Sequence, residues 1–131
     1  MPVATVKFLS PDLCKAHPEK VFVFGDNSKR WGKRGQAAIR DEPNSHGVAT
    51  KWYPAMQDYS FFKSGDTKAR NLILSDFKPI KQFLAEGKTV VFPADGLGTG
   101  LAKLPETAPD LHSLIEDTIN SFKAIHHTVS L

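Results

Sequence analysis

Two glycine-bearing stretches, each following an apolar run, hold residue types that can do chemistry. The first runs from Gly25-Asp26-Asn27 through Gly32-Lys33-Arg34-Gly35-Gln36-Ala37-Ala38. Small side chains let backbone amides approach a ligand, Asp26 and Asn27 offer directional polar contacts, and a helix opening there would turn its N-terminal dipole toward an anion. Phosphate or ribose is the natural guest. The stretch is not a P-loop, because Gly32-Lys33 is followed by Arg34 where a metal-binding Ser or Thr is required, so ATP hydrolysis is disfavoured. The second stretch is Pro93-Ala94-Asp95-Gly96-Leu97-Gly98-Thr99-Gly100-Leu101-Ala102. Gly96, Gly98 and Gly100 each cost chain entropy unless their backbone freedom is used, and a backbone nest around a diphosphate would use it. Leu101 stands where the dinucleotide fingerprint needs its third glycine.

Thr50-Lys51-Trp52-Tyr53 is the third candidate. A lysine at a strand end beside aromatics is partly desolvated, which lowers its pKa and makes it a nucleophile toward a sugar aldehyde. The competing reading is a surface lysine with its stem laid over Trp52. His46 and Asp58 are nearby in sequence and suit acid or base work, although a histidine in Pro43-Asn44-Ser45-His46-Gly47 also reads as an ordinary loop residue. His126-His127 lacks a third ligand at metal spacing and His17, His46 and His112 are scattered, so no metal site or cofactor is expected. No Gly-x-Ser-x-Gly elbow is present, and Cys14 reads as a buried structural thiol.

The elements that must position these residues alternate between strand and helix. Ala4 to Leu9 reads as a strand, and Ser10-Pro11-Asp12 caps a short helix to His17. Val21-Phe22-Val23-Phe24 is an uninterrupted apolar run, hence a strand buried on both faces, closed by the turn Gly25-Asp26-Asn27. Gln36 to Arg40 has strong helix formers, Pro43 to Gly47 breaks the pattern, and Val48 to Lys51 is a short strand. From Trp52 to Leu74 no period is sustained, leaving a functional loop, a lid or a strand pair. Ser75-Asp76 is predicted to cap a helix with Phe77, Ile80 and Leu84 on one face, ended by Gly87. Thr89 to Phe92 is the second buried strand. A last helix carries Leu111, Leu114, Ile115, Thr118 and Phe122, and His126 to Leu131 forms an edge strand. The pattern predicts a single α/β domain over residues 1–131, an α/β sandwich around a central sheet. Ligands of such sheets bind beyond the carboxyl ends of the strands, so both glycine turns should face one pocket.

The chain has 131 residues, 40% hydrophobic and 24% charged, which suits one core and no more. No apolar run approaches the roughly 20 residues that cross a bilayer, and the N-terminus lacks signal-peptide features, so no membrane partner is expected. One cysteine excludes an internal disulfide and points to a reducing compartment such as the cytoplasm. The formal charge of +3 is small, but Lys29, Arg30, Lys33, Arg34 and Arg40 precede the next acid, Asp41. That cluster suits nucleotide phosphates or, with Trp31 stacking on a base, a nucleic-acid strand; a solvated loop is the plain alternative.

The order of these features resembles the macro domain, an ADP-ribose-binding fold, and the resemblance implies a single-domain three-layer α/β/α sandwich with a mixed central sheet. Val23-Phe24-Gly25-Asp26-Asn27 and Gly32 to Ile39 are similar to its first strand, polar turn and glycine-rich loop. Val90-Val91-Phe92-Pro93-Ala94 and Gly98-Thr99-Gly100-Leu101 are similar to its later strand and loop. Thr50-Lys51 and Gly98-Thr99-Gly100-Leu101-Ala102-Lys103-Leu104 look most like the branch that removes terminal ADP-ribose from proteins or nucleic acids. The resemblance implies Lys51 as nucleophile on the distal ribose, with Asn27 beside it. Substrate contacts are implied from Gly25, Asp26, Asn27, Gly32, Gly35, Gln36, Ala37 and Thr50, and from Pro93, Gly96, Leu97, Gly98, Thr99, Gly100 and Leu101. Ala102 occupies the place of the family's resolving aspartate, and Asp95 or Asp26 are the acids that would stand in. Pro93 to Thr99 is also similar to the phosphate turn of Rossmann-like nucleotide phosphoribohydrolases, whose glutamate again falls at Ala102. The expectation is therefore an ADP-ribosyl hydrolase, with a non-catalytic ADP-ribose reader or sponge, a phosphoribohydrolase-like protein or a nucleic-acid binder as alternatives. A monomer acting in the cytoplasm is implied, that of the host if the protein is, as short macro-like chains of this type resemble, phage-encoded and directed against ADP-ribosylation.

Overall fold

The computed structural model describes residues 3–126 and 128–131. Five strands, β1 (Val3–Val6), β2 (Val21–Asn27), β3 (Ser45–Lys51), β4 (Val90–Pro93) and β5 (Thr128–Ser130), form one sheet in the order β3-β2-β4-β1-β5. Every pairing between these strands is parallel, so the mixed sheet expected from the macro-domain resemblance is corrected while the α/β class holds. The reason is connectivity: each of β1 to β4 is followed by a connection carrying at least one helical turn, and these crossovers return the chain to the same end of the sheet.

Strand alternation divides the core between two faces. Val3, Val21, Val23, Val90 and Phe92 point to one side, where they meet α2 (Thr67–Ala85) and α4 (Pro109–Ile125) through Ile73, Phe77, Ile80, Ile115 and Phe122. Ala4, Phe22, Phe24 and Val91 point to the other side, against Cys14 of α1 (Pro11–Ala16) and Ala37 and Ile39 of a 3-10 turn, Gly35–Ile39. A fully buried side chain of this size contributes roughly 1.5–3 kcal/mol, so the two large helices carry most of the packing energy. Cys14 is fully buried and burial pushes its thiol pKa up, as a structural thiol requires.

Several boundaries differ from the sequence expectation. Ser10 does cap α1, its hydroxyl accepting from the Leu13 amide at 3.1 Å, with Pro11 opening the helix. Gly25-Asp26-Asn27, expected as a turn, instead completes β2, because Gly25 and Asp26 stay in register with Val48 and Ala49 before a bulge after Asp26. The helix expected over 36–40 is only the 3-10 turn, too short to offer a helix dipole to an anion. Helix α2 begins at Thr67 rather than at Ser75: Asp66 is its cap, accepting from the Ala69 amide at 3.1 Å, and Asp76 lies inside the helix. Its Asp76 carboxylate is taken by the Ala49 amide at 2.8 Å and by Arg30 at 2.7 Å. Gly87 follows the end of α2 with φ +81°, as predicted, and β5 is the edge strand predicted beyond α4. α3 (Leu104–Thr107) is a single turn between the second glycine loop and α4. His127 lies outside the described residues. Among the described residues no helix is long and apolar enough to cross a membrane.

Candidate functional site

The carboxyl ends of β2 and β3 and the loop after β4 enclose a cavity of about 570 Å³. The two glycine stretches meet there: a Cβ added to Gly25 would lie 3.5 Å from the Gly98 amide nitrogen and 3.6 Å from the Thr50 hydroxyl. β2 contributes Gly25, Asp26 and Asn27 to the wall, and the following loop adds Trp31, Gly32, Arg34, Gly35, Gln36 and Ala37. β3 supplies Thr50 and Lys51, and the second loop supplies Gly98, Gly100, Leu101 and Ala102. Pro54, Ala55, Met56 and Gln57 complete it. These last four lie in the segment without a periodic signal; only their apolar content, unusual for a surface loop, could have marked them.

Five expected site residues stand elsewhere. Asp95 is exposed and outside the cavity wall, so it is not placed to act on a ligand there. Pro93 is buried as the last residue of β4, Leu97 is fully buried in the core, and Gly96 and Thr99 also lie outside the wall. Gly96 has a structural task instead. Its carbonyl accepts from Gln36 Nε2 at 3.0 Å, while Gln36 Oε1 accepts from the Gly25 amide at 2.8 Å. Gln36 is thus a strut that holds the first glycine stretch to the second.

Asp26 is not a free acid. Its side chain is buried, Arg40 meets Oδ1 at 2.6 Å, Arg30 meets Oδ2 at 3.2 Å, and the Asn27 amide donates to Oδ1 at 2.8 Å. A Cβ on Gly47 would collide with this carboxylate, which explains a glycine in the middle of β3. Asn27 is spent on the loop itself: Oδ1 accepts from the Lys29 amide at 3.0 Å and Nδ2 donates to the Trp31 carbonyl at 2.9 Å. The Thr50 hydroxyl donates to the Asp26 carbonyl at 3.0 Å.

The basic cluster sorts itself the same way. Arg30 bridges Asp26 and Asp76, Arg40 holds Asp26 and the Trp31 and Gly32 carbonyls, and Lys33 pairs with Asp41. Arg34 has no acidic partner among the described residues and lines the cavity. Lys51 does the same from inside: only 7% exposed, it donates to the Ala55 carbonyl at 2.9 Å, lies 3.9 Å from Met56 Sδ and sits over the Phe61 ring. No carboxylate pairs with it among the described residues. Burial, and next the charge of Arg34, hold its pKa below the ordinary 10.5. His46 and Asp58 do not join the site. His46 bonds the Asp76 carbonyl at 2.7 Å, and exposed Asp58 pairs with Lys63.

Among the described residues the cavity therefore presents two cations without an acidic partner, one buried and one exposed, and a single acid already neutralised by arginines. Among the described residues no three His, Cys, Asp or Glu side chains gather to hold a metal. The charge of such a wall suits an anion, and the lowered pKa of Lys51 favours its neutral amine relative to an ordinary lysine.

The second loop depends on glycine at one position above all. Gly98 has φ +78°, and a Cβ there would lie 3.0 Å from Leu104 Cβ and Cδ2 and 3.2 Å from Thr50 Cβ. Gly98→Ala is expected to cost about 2–4 kcal/mol in chemical denaturation, combining left-handed backbone strain with overpacking. Gly100→Ala, at a position where a Cβ meets nothing within 4 Å, should leave the denaturation midpoint nearly unchanged.

No curated protein and no solved structure matches the chain. A family model described as a family of unknown function, DUF7831, matches residues 4–118, from β1 to well into α4. The match spans both glycine stretches, Lys51 and the whole cavity wall, and the chain belongs to that family, DUF7831.

Proposed function

We propose that the cavity binds ADP-ribose or a closely related nucleotide, and that Lys51 acts on its distal ribose to release an attached group. The observation that carries this reading is Lys51 itself: a buried ammonium without a carboxylate partner, at a strand end, facing a cavity that it shares with Arg34. Burying an unpaired cation costs several kcal/mol and is retained where a ligand anion or a chemical step uses it. Gly25 and Gly98 line the cavity together with Arg34, where a diphosphate would sit, which leaves a ribose near Lys51. The resemblance of the two loops to the macro domain supports the same ligand class.

In the reaction, the neutral Lys51 amine attacks the anomeric carbon of the ribose. A carbon–nitrogen bond forms as the bond to the acceptor breaks, and the proton shed by the nitrogen goes to the departing acceptor. The ring carbon–oxygen bond then breaks, the remaining N–H proton passes to that oxygen and an imine to Lys51 is left; water hydrolyses the imine, returning the free amine and the aldehyde, which recloses to ribose. Lowering the amine's pKa raises the fraction able to attack at neutral pH. The test is release of ADP-ribose from a modified protein or oligonucleotide, followed by intact mass after reduction with borohydride. Wild type should release ADP-ribose and trap an adduct on Lys51; Lys51→Ala should do neither. Release by the alanine variant at the wild-type rate would remove the lysine mechanism.

A second reading, ADP-ribose recognition without turnover, is favoured by one specific feature. Among the described residues the only acid in the cavity wall, Asp26, is locked between Arg30 and Arg40, and Ala102 lines the wall where a resolving acid would stand. Binding with the ligand intact after prolonged incubation selects this reading. In either form the protein would act as a monomer in the cytoplasm, reversing or absorbing ADP-ribose signals.

A further inference from the structure

We infer that the rim of the cavity is a docking surface for single-stranded nucleic acid, formed by Trp31, Tyr53 and Tyr59 with Lys29 and Arg34. This goes beyond the nucleotide reading of the cavity, since Lys29, Tyr53 and Tyr59 lie outside its wall.

Trp31 is 60% exposed and Tyr59 64% exposed, values that leave most of each ring in water. Large aromatic side chains so placed are informative, because burial elsewhere would have stabilised the chain. Their placement is not the result of a loose loop. The Trp31 carbonyl is held by Asn27 Nδ2 at 2.9 Å and Arg40 Nη2 at 3.1 Å, so the backbone beneath the ring is pinned while the indole stays open. Tyr53 and Tyr59 brace each other edge to face, with ring centroids 5.5 Å apart, and Lys29 Nζ sits 5.0 Å from the Tyr53 centroid. The two aromatic groups belong to one rim: a Cβ added to Gly32, the residue after Trp31, would lie 3.4 Å from Cβ of Pro54, the residue after Tyr53.

Charge complementarity names the occupant. Of the cationic cluster, Arg30 and Arg40 are consumed by Asp26 and Asp76, whereas Lys29 and Arg34 have no acidic partner among the described residues. Aromatic faces alternating with unpaired cations fit a polymer in which flat bases alternate with phosphates. A duplex hides its base faces, so the strand must be single. An acidic peptide would satisfy Lys29 and Arg34 but leave the exposed Trp31 and Tyr59 rings without planar partners.

The experiment is fluorescence anisotropy with a short labelled oligothymidylate, its duplex and a labelled polyglutamate peptide, beside calorimetry with ADP-ribose on the same protein. The single strand is expected to bind best, with affinity falling roughly 10-fold between 50 and 200 mM salt, as two or three phosphate contacts dictate. Trp31→Ala should weaken it about 10-fold or more, Trp31→Phe should restore most of the loss, and Lys29→Ala with Tyr59→Ala should weaken it while leaving ADP-ribose binding unchanged. Circular dichroism confirms that the variants are folded. Absence of oligonucleotide binding at low salt overturns the inference. So does equal or tighter binding of the duplex or the peptide, or unchanged affinity in Trp31→Ala. Oligonucleotide binding without ADP-ribose binding would instead remove the cavity reading and leave this one standing.

Discussion

Lys51→Met is expected to raise thermal stability while abolishing the activity proposed for the cavity. The wild-type ammonium is buried, with the Ala55 carbonyl and Met56 Sδ as its polar contacts and no carboxylate among the described residues to offset its desolvation. Methionine fills the same channel over Phe61 with a flexible apolar chain, so the variant loses one hydrogen bond and sheds a buried charge. Replacing buried charges by apolar groups of similar volume is commonly neutral or stabilising by about 1–4 kcal/mol. A gain of about 1–2 kcal/mol is expected here, read as a rise of several degrees in the melting temperature. The difference should depend on pH in a defined direction. Because the folded-state pKa of Lys51 lies below 10.5, the unfolded chain binds more protons between the two values, and wild-type stability gains from this group as pH rises through that window. The advantage of Lys51→Met is therefore full near neutrality and shrinks as pH approaches 10.5. A variant that is less stable than wild type at neutral pH would mean that the ammonium is a structural tie.

Asp26→Asn is expected to destabilise the fold about as much as any single change around the site. It removes the charge that neutralises Arg40 at 2.6 Å and Arg30 at 3.2 Å, and places an amide donor against two guanidinium groups. Arg40 is largely buried, whereas Arg30 is more open and keeps Asp76. Breaking a buried pair by deleting one partner costs about 3–5 kcal/mol; the exposure of Arg30 places the expected loss near 3 kcal/mol in urea denaturation. The ligand response should suffer too, because Arg40 holds the Trp31 and Gly32 carbonyls that shape the first loop. A loss below about 1 kcal/mol would show that water replaces the carboxylate at little cost.

Much of this site was legible in the amino-acid order. Val21 to Phe24 and Val90 to Phe92 are apolar on successive residues, which only a strand covered on both faces tolerates, and each leads toward glycines; that places the cavity at the carboxyl edge of the sheet. Lys51 was visible as a lysine at a strand end. The roles of the acids were not. Asp26 reads as a ligand contact until Arg40, across the 3-10 turn, is seen to claim it, and no local pattern reports such a pairing. Gly25-Asp26-Asn27 reads as a turn for the same reason: a charge inside a strand is intelligible only with its partners in view. The start of α2 was missed although Ala69 and Ile73 extend the stripe of Phe77, Ile80 and Leu84, because Ser75-Asp76 imitates a cap while the Asp76 carboxylate actually ties the helix to β3 and Arg30. Pro54 to Gln57 carry no period, and their place in the wall follows from the Lys51 ammonium holding the Ala55 carbonyl. The parallel sheet was obscured by the short connections, since the 3-10 turn between β2 and β3 is far smaller than the usual crossover helix.

The central claim is that an ADP-ribose-like anion enters the cavity and meets Lys51 and Arg34. Isothermal calorimetry of ADP-ribose into wild type, Arg34→Ala and Lys51→Met tests it most directly. Binding at one site per chain is predicted, weakened about 10-fold by loss of Arg34, the weight of one charge-assisted contact, and weakened at least as much by loss of Lys51. No heat in wild type at millimolar ligand, or equal affinity in all three proteins, would contradict it.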